Sequence, residues 1–196
     1  MDVGIFAKVW EGQPLDAILS SMRELGIRHT QFNLSCVGLD QLPDAISPQL
    51  IAEVRACFAR HDVVMSAISG TYNMIHPDDA VLADNLRRLR VLADACQALG
   101  TQVITICSGT FDADDMWRRH PDNDTPAAWA RLVATLERAL PVAQAAGVRL
   151  AFEPEQANVV TSAYKARRLL DHFASPHLKV TFDAANLFER ATLTEQ

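Results

Sequence analysis

Two carboxylates stand where buried apolar runs end. Glu153 follows Leu150-Ala151-Phe152 directly, and Asp183 follows Val180-Thr181-Phe182. A carboxylate at the mouth of a buried strand loses water and needs a compensating partner. Two such groups on neighbouring strands would face each other at close range, and a divalent cation is a simple way to keep both ionised. For either residue alone, capping of the next helix or pairing with a nearby arginine accounts for it as well. For the two together, on adjacent strands at matching depth, the metal reading is favoured.

Other polar residues gather at the exits of the apolar runs. Lys8 and Trp10 follow the first, Asn33 and Ser35 the second, and Ser69, Asn73 and His76 the third. Ser108 and Asp112 follow the fourth, Glu155 and Asn158 join Glu153 after the fifth, and Asn186 joins Asp183 after the sixth. His76 sits in MIHPD just before a helical pattern, where a histidine by itself reads as a capping or packing residue. Trp129 lies on an apolar helix stripe and reads as core. Trp10 and Trp117 fall in loops on the side of the carboxylates and are candidates to wall a pocket.

Short apolar runs that alternate with helical patterns position these residues. Val3–Phe6, Ile27–Leu34, Val63–Ile68, Gln102–Cys107, Val148–Phe152 and Leu178–Phe182 read as strands. Between them, Pro14–Leu25 carries Leu15, Ile18, Met22 and Leu25 at helical spacing. Ser47-Pro48 opens a helix to about Arg60, and Asp78–Leu99 keeps the same rhythm until Gly100. Thr125-Pro126 opens another that ends at Gly147, with Pro141 expected to kink it, and Thr161 or Ser162 caps one to about Phe173. Strict alternation predicts an α/β fold with a parallel sheet and crossover helices. A (β/α) barrel and a doubly wound sheet both satisfy it. The sequence has no G-x-G-x-x-G after the first strand and no phosphate-loop motif, so nucleotide-binding versions of the wound sheet lose support. The Gly109–Asp124 loop is long and acidic, as lids and binding loops often are.

Composition narrows the classes. The 196 residues are 49% hydrophobic and 21% charged, enough for one sizeable core over 1–196 and no second domain. A net charge of −6 without a basic stripe argues against nucleic acid, and no apolar run is long enough for a membrane span. Cys36, Cys57, Cys96 and Cys107 form no C-x-x-C pair, and free thiols point to a reducing, cytoplasmic setting. MDVGIFAKVW lacks the pattern of a signal peptide.

At these residues the sequence resembles the xylose isomerase-like barrels, in their sugar phosphate isomerase/epimerase branch. The stretches that carry the resemblance are GTYNMIHPD (Gly70–Asp78), WRRHPDND (Trp117–Asp124), GVRLAFEPEQANVV (Gly147–Val160) and LKVTFDAANLFE (Leu178–Glu189). The resemblance implies a (β/α)8 TIM barrel, one divalent ion (Mn, Mg, Co or Zn), and a small-molecule sugar substrate. It implies metal ligands at Glu153 and Asp183, with a histidine and a further acid on the seventh and eighth strands. Asn186 stands where several relatives carry a substrate-contacting histidine, and Asn158 where some epimerases carry a glutamate. Both depart from the ketose 3-epimerases.

A barrel of this type has about 250 residues, so this one reads as truncated after the sixth strand, lacking its last two β/α units. The expectation is a fragment, a chain that completes itself as a homo-oligomer, or a remnant without the ancestral activity. With the site complete, Glu153 would be both ligand and proton-transferring catalytic residue for an enediolate isomerase or epimerase. Asn73, His76, Glu155, Asn158 and Asn186 would hold substrate, and Trp10 or Trp117 would exclude water. The alternatives are an inosose dehydratase-like lyase and a non-catalytic truncated barrel that self-associates. An apurinic-site endonuclease of the same fold would need more histidine ligands and a basic surface.

Overall fold

The computed structural model describes residues 2–187. Six strands run parallel in chain order: β1 (Gly4–Phe6), β2 (His29–Phe32), β3 (Val64–Ser69), β4 (Val103–Cys107), β5 (Arg149–Glu153) and β6 (Leu178–Val180). Helices α1 (Leu15–Glu24), α2 (Pro48–Arg60), α3 (Asp79–Leu99), α4 (Pro126–Ala146) and α5 (Ala163–Phe173) connect them. This is the α/β barrel pattern, carried as far as the sixth strand.

The predicted helix starts are real caps. The side chains of Ser47, Thr125 and Ser162 accept hydrogen bonds from the backbone N–H of Leu50, Ala128 and Lys165, at 3.1, 3.3 and 3.2 Å. Asp78 caps α3 through the Ala80 N–H at 2.8 Å. Between Thr161 and Ser162, the structure selects Ser162. The helix expected to kink at Pro141 spans Pro126–Ala146 with that proline inside it. Pro141 lies on its exposed side, where water can satisfy the carbonyl freed by the missing N–H.

Strand ends differ more. The second strand, expected over Ile27–Leu34, pairs only over His29–Phe32, because Asn33 takes the Ser35 N–H and turns the chain into a short 3₁₀ segment, Leu34–Val37. The sixth pairs over Leu178–Val180 rather than to Phe182, although the Thr181 N–H still reaches the Phe152 carbonyl at 2.9 Å.

The strands sort their side chains by period two. Phe32, Ile104, Ile106, Leu150 and Phe152 are fully buried in the core between sheet and helices. Phe32 meets Phe58 of α2 edge-to-face, with ring centroids 5.3 Å apart. The alternate residues point into the barrel, where Gln31 donates to Thr105 Oγ1 at 3.1 Å across the interior. All four cysteines are buried free thiols. Among the described residues, no helix is long and apolar enough to cross a membrane.

Beyond β4, Gly109 holds a left-handed backbone (φ +77) under the β3 exit loop. A Cβ there would lie 2.5 Å from Asn73 Oδ1 and 2.6 Å from the Met74 backbone nitrogen. Gly109→Ala combines positive-φ strain with a clash against backbone, so it is expected to destabilise by about 2–4 kcal/mol. Urea unfolding against the parent chain measures this, and a loss below about 1 kcal/mol would show that the loop yields freely.

Candidate active site

The carboxyl ends of the strands enclose a cavity of about 440 Å³. Its acidic wall is Glu153 from the end of β5, Glu155 two residues on, and Asp183 with Asn186 beyond β6. Opposite stand Lys8, Gln31, Gln41, Ser69 and Thr71, from β1 to just past β3. Trp117, from the long loop after β4, covers part of the opening and is itself 55% exposed. A hollow of about 500 Å³ at the opposite end of the sheet, lined by residues such as Gln97, Thr101 and Arg149, contains no carboxylate.

Register explains why the acids meet. Ala151 pairs with Lys179 and Phe152 with Val180. Continued by one residue, this places Glu153 beside Thr181 and puts Asp183 two residues farther along the same inward side. The two carboxylates therefore converge without lying at equal depth. Asp183 also accepts the Ala185 N–H at 2.8 Å, closing the turn into a 3₁₀ segment, Ala185–Leu187. That turn aims Asn186, whose Nδ2 donates to Glu153 Oε1 at 3.0 Å, while Gln156 Nε2 holds the Asn186 carbonyl at 2.6 Å.

Glu153 is half-buried, and its carboxyl is pushed up from 4.5 to about 7. Burial is the largest cause, followed by the charges of Glu155 and Asp183, and the Asn186 amide only partly offsets them. Glu155 is raised as well, by burial first and then by Asp183. Among the described residues, neither glutamate has an arginine or lysine in an ion pair with it. Burial and mutual repulsion hold these carboxyls back from ionising; a divalent ion would relieve both, and Glu153 and Asp183 could hold one. Glu153, Glu155 and Asp183 do not bring one oxygen each within 4.8 Å of one another.

The other candidates divide between cavity and scaffold. Glu155, Asn186 and Trp117 line the cavity with Glu153 and Asp183. Asn73 does not: its Oδ1 accepts the N–H groups of Thr110 and Ile75 at 2.9 and 3.3 Å, and its Nδ2 donates to the Asp112 carbonyl at 3.0 Å. Asn158 is fully buried, accepting the Gly109 N–H at 2.9 Å and donating to the Met116 carbonyl at 3.3 Å. His76 accepts the Asp78 N–H at Nδ1, and its Nε2 lies 3.1 Å from the Ala113 carbonyl. Trp10 packs against the core. These four stand outside the cavity, where Asn73, Asn158 and His76 tie the exit loops together. Gln31, Gln41 and Thr71 line the cavity without having been singled out. A polar residue in the middle of the strand HTQF was a usable signal for Gln31, whereas nothing local marks Gln41, which the fold holds by its bonds to Asn33 Nδ2 and the Thr71 carbonyl.

A parallel barrel with acids at the carboxyl ends of its strands defines the class of protein. The sequence profile of the xylose isomerase-like TIM barrel matches residues 19–195, and the chain belongs to that family. Similar solved structures include the 3-keto-D-glucoside 4-epimerase of E. coli, at 15% identity and a TM-score of 0.72, covering 92% of this chain and 67% of that one. A probable 3-DHS dehydratase of Bacillus anthracis aligns at 13% identity and 0.75, covering 95% and 64%. A xylose isomerase-like TIM barrel protein of Mycobacterium smegmatis, in complex with magnesium, aligns at 17% and 0.68, covering 94% and 65%. A search of the curated proteins found no match. The chain thus spans about two thirds of the length of these structural relatives.

The raised Glu153 carboxyl has a thermodynamic consequence. Folding favours its protonated form, so its contribution is fully present below pH 4.5 and is lost as pH rises through about 7. After allowance for solvent screening of a half-exposed group, the loss is on the order of 1 kcal/mol. In the presence of chelator, stability is expected to fall over this interval, and Glu153→Gln is expected to flatten the fall. Parallel pH profiles of unfolding for the two proteins would contradict the assigned cause.

Proposed function

We propose that the protein is a metal-dependent isomerase or epimerase of a keto sugar or sugar phosphate, acting by proton transfer at the carbon beside the carbonyl. The observation that carries this reading is the placement of Glu153: a half-buried carboxyl inside a cavity at the strand exits, beside a second acid that can share a cation. A carboxylate so placed can accept and return a proton. Family membership supports the reading, as do epimerases among the proteins of similar fold.

Glu153 and Asp183 would hold the ion. When bound, a divalent ion supplies charge stabilisation to the oxygen of a substrate carbonyl as the neighbouring proton leaves. The rest falls to side chains. Glu153 takes the proton from carbon, and Asn186, donating to its Oε1, keeps the carboxylate oriented. Gln31, Gln41, Ser69 and Thr71 offer neutral donors and acceptors suited to sugar hydroxyls. Trp117 shields the cavity from bulk water.

The test is solvent exchange. The protein is stripped with chelator, reloaded with Mn²⁺, and incubated in D₂O with a panel of ketoses and ketose phosphates. Metal-dependent deuterium incorporation beside the carbonyl is expected, and Glu153→Gln should lower its rate by about 10²–10⁴-fold. Product analysis distinguishes epimerisation from loss of water, which would move the reading to a lyase. Exchange that is indifferent to chelation or to Glu153→Gln would refute the proposal.

A further inference from the structure

A second group of ligating side chains lies away from the cavity, between α1 and α2. Cys57 and His61 are four residues apart, and the His61 N–H bonds to the Cys57 carbonyl at 3.2 Å, so the helical turn continues through both. Their side chains therefore share one face of α2. Asp16, in the first turn of α1, meets that face. Its Oδ1 lies 2.9 Å from His61 Nε2 and 3.8 Å from Cys57 Sγ. One donor atom from each residue falls within 4.8 Å of the other two.

We propose that Asp16, Cys57 and His61 form a binding site for a single Zn²⁺-class ion, distinct from the acids at the barrel mouth. Tetrahedral zinc with Zn–N and Zn–O bonds near 2.0 Å and a Zn–S bond near 2.3 Å needs ligand–ligand edges of roughly 3.3–3.7 Å. The two measured edges, 2.9 and 3.8 Å, bracket that range, so small side-chain rotations suffice. One thiolate, one carboxylate and a neutral imidazole carry two negative charges, matching the ion. The mixed sulfur, nitrogen and oxygen set suits zinc or cobalt, and is too soft for magnesium or calcium. Cys57 is buried and His61 is largely shielded, whereas Asp16 is exposed, which leaves the solvent side open for entry and for a water as fourth ligand. Binding releases the thiol proton, while the neutral imidazole binds through Nε2 and keeps its one N–H at Nδ1. Arg60 donates to the same Asp16 oxygen at 3.0 Å, so it competes with the ion for that ligand.

Cobalt provides the test, because a thiolate ligand produces a near-ultraviolet sulfur-to-cobalt charge-transfer band that the oxygen ligands of Glu153 and Asp183 cannot. Chelator-stripped, reduced protein titrated with Co²⁺ is expected to develop this band at one equivalent, and Zn²⁺ should bleach it. Cys57→Ser should abolish the band, and His61→Ala or Asp16→Asn should weaken binding by about tenfold or more. Arg60→Met should tighten it, by about threefold or more, through removal of the competing charge. Absence of the band at millimolar Co²⁺, or its persistence in Cys57→Ser, overturns the assignment. Should Cys57→Ser lose its folded circular dichroism, His61→Ala at the helix end decides, and parental affinity in that variant overturns the proposal equally.

Discussion

The cavity depends on the side-chain alternation of a parallel sheet whose two faces meet different surroundings. Leu150 and Phe152 point into the packed layer of helices, so their neighbours Ala151 and Glu153 must point the other way, into the barrel. The same alternation on β2 sends Phe32 to Phe58 and Gln31 inward to Thr105. A slip of one residue would reverse every such choice, placing a carboxylate among leucines and a phenylalanine in the cavity. Burial of the apolar set is therefore what aims the polar set.

That aim has an energetic cost at Glu153. Asp183 and Glu155 crowd it, the Asn186 amide relieves it only in part, and its carboxyl rises to about 7. The strand pairing of β5 with β4, from Val103–Arg149 to Cys107–Glu153, holds the residue there regardless. Such local tension is common where a scaffold presents groups for chemistry rather than for stability. The wall opposite carries the neutral donors and acceptors of Gln31, Gln41, Ser69 and Thr71 together with the cation of Lys8, in contrast to the acids.

Buried amides hold the loops that frame the cavity. Asn73 joins the exits of β3 and β4, and Asn158 joins β4 to β5. Asn123 accepts the Phe111 N–H at 2.9 Å and donates to the Ala157 carbonyl at 2.8 Å, tying the long loop to the segment after β5. Each asparagine satisfies backbone groups that an irregular chain would otherwise leave unpaired. The acidic loop is steadied in the same way by the Arg118–Asp112 pair, with one bond at 2.8 Å. The loop that carries Trp117 is thereby tied to the segments around it.

The order of elements was determined by local chemistry, and so it was legible in the sequence. Apolar runs of strand length, helix caps at Ser47, Thr125 and at Thr161 or Ser162, and stop glycines at Gly100 and Gly147 act over a few residues, and the structure keeps them, with Ser162 as the last cap. The placement of Glu153 and Asp183 at strand exits was legible for the same reason, as were the stretches that mark the family. Which polar residues face the cavity was decided only by tertiary structure. Asn73 and Asn158 look in sequence like Asn186, yet the first two are consumed largely by backbone groups 37 to 49 residues away, and the third reaches Glu153. Gln41 carries no local signature, and although Cys57 and His61 share a helical spacing of four, nothing local brings Asp16 to them. Their roles depend on distances between elements far apart in the chain, and those distances exist only once the helices have packed on the sheet.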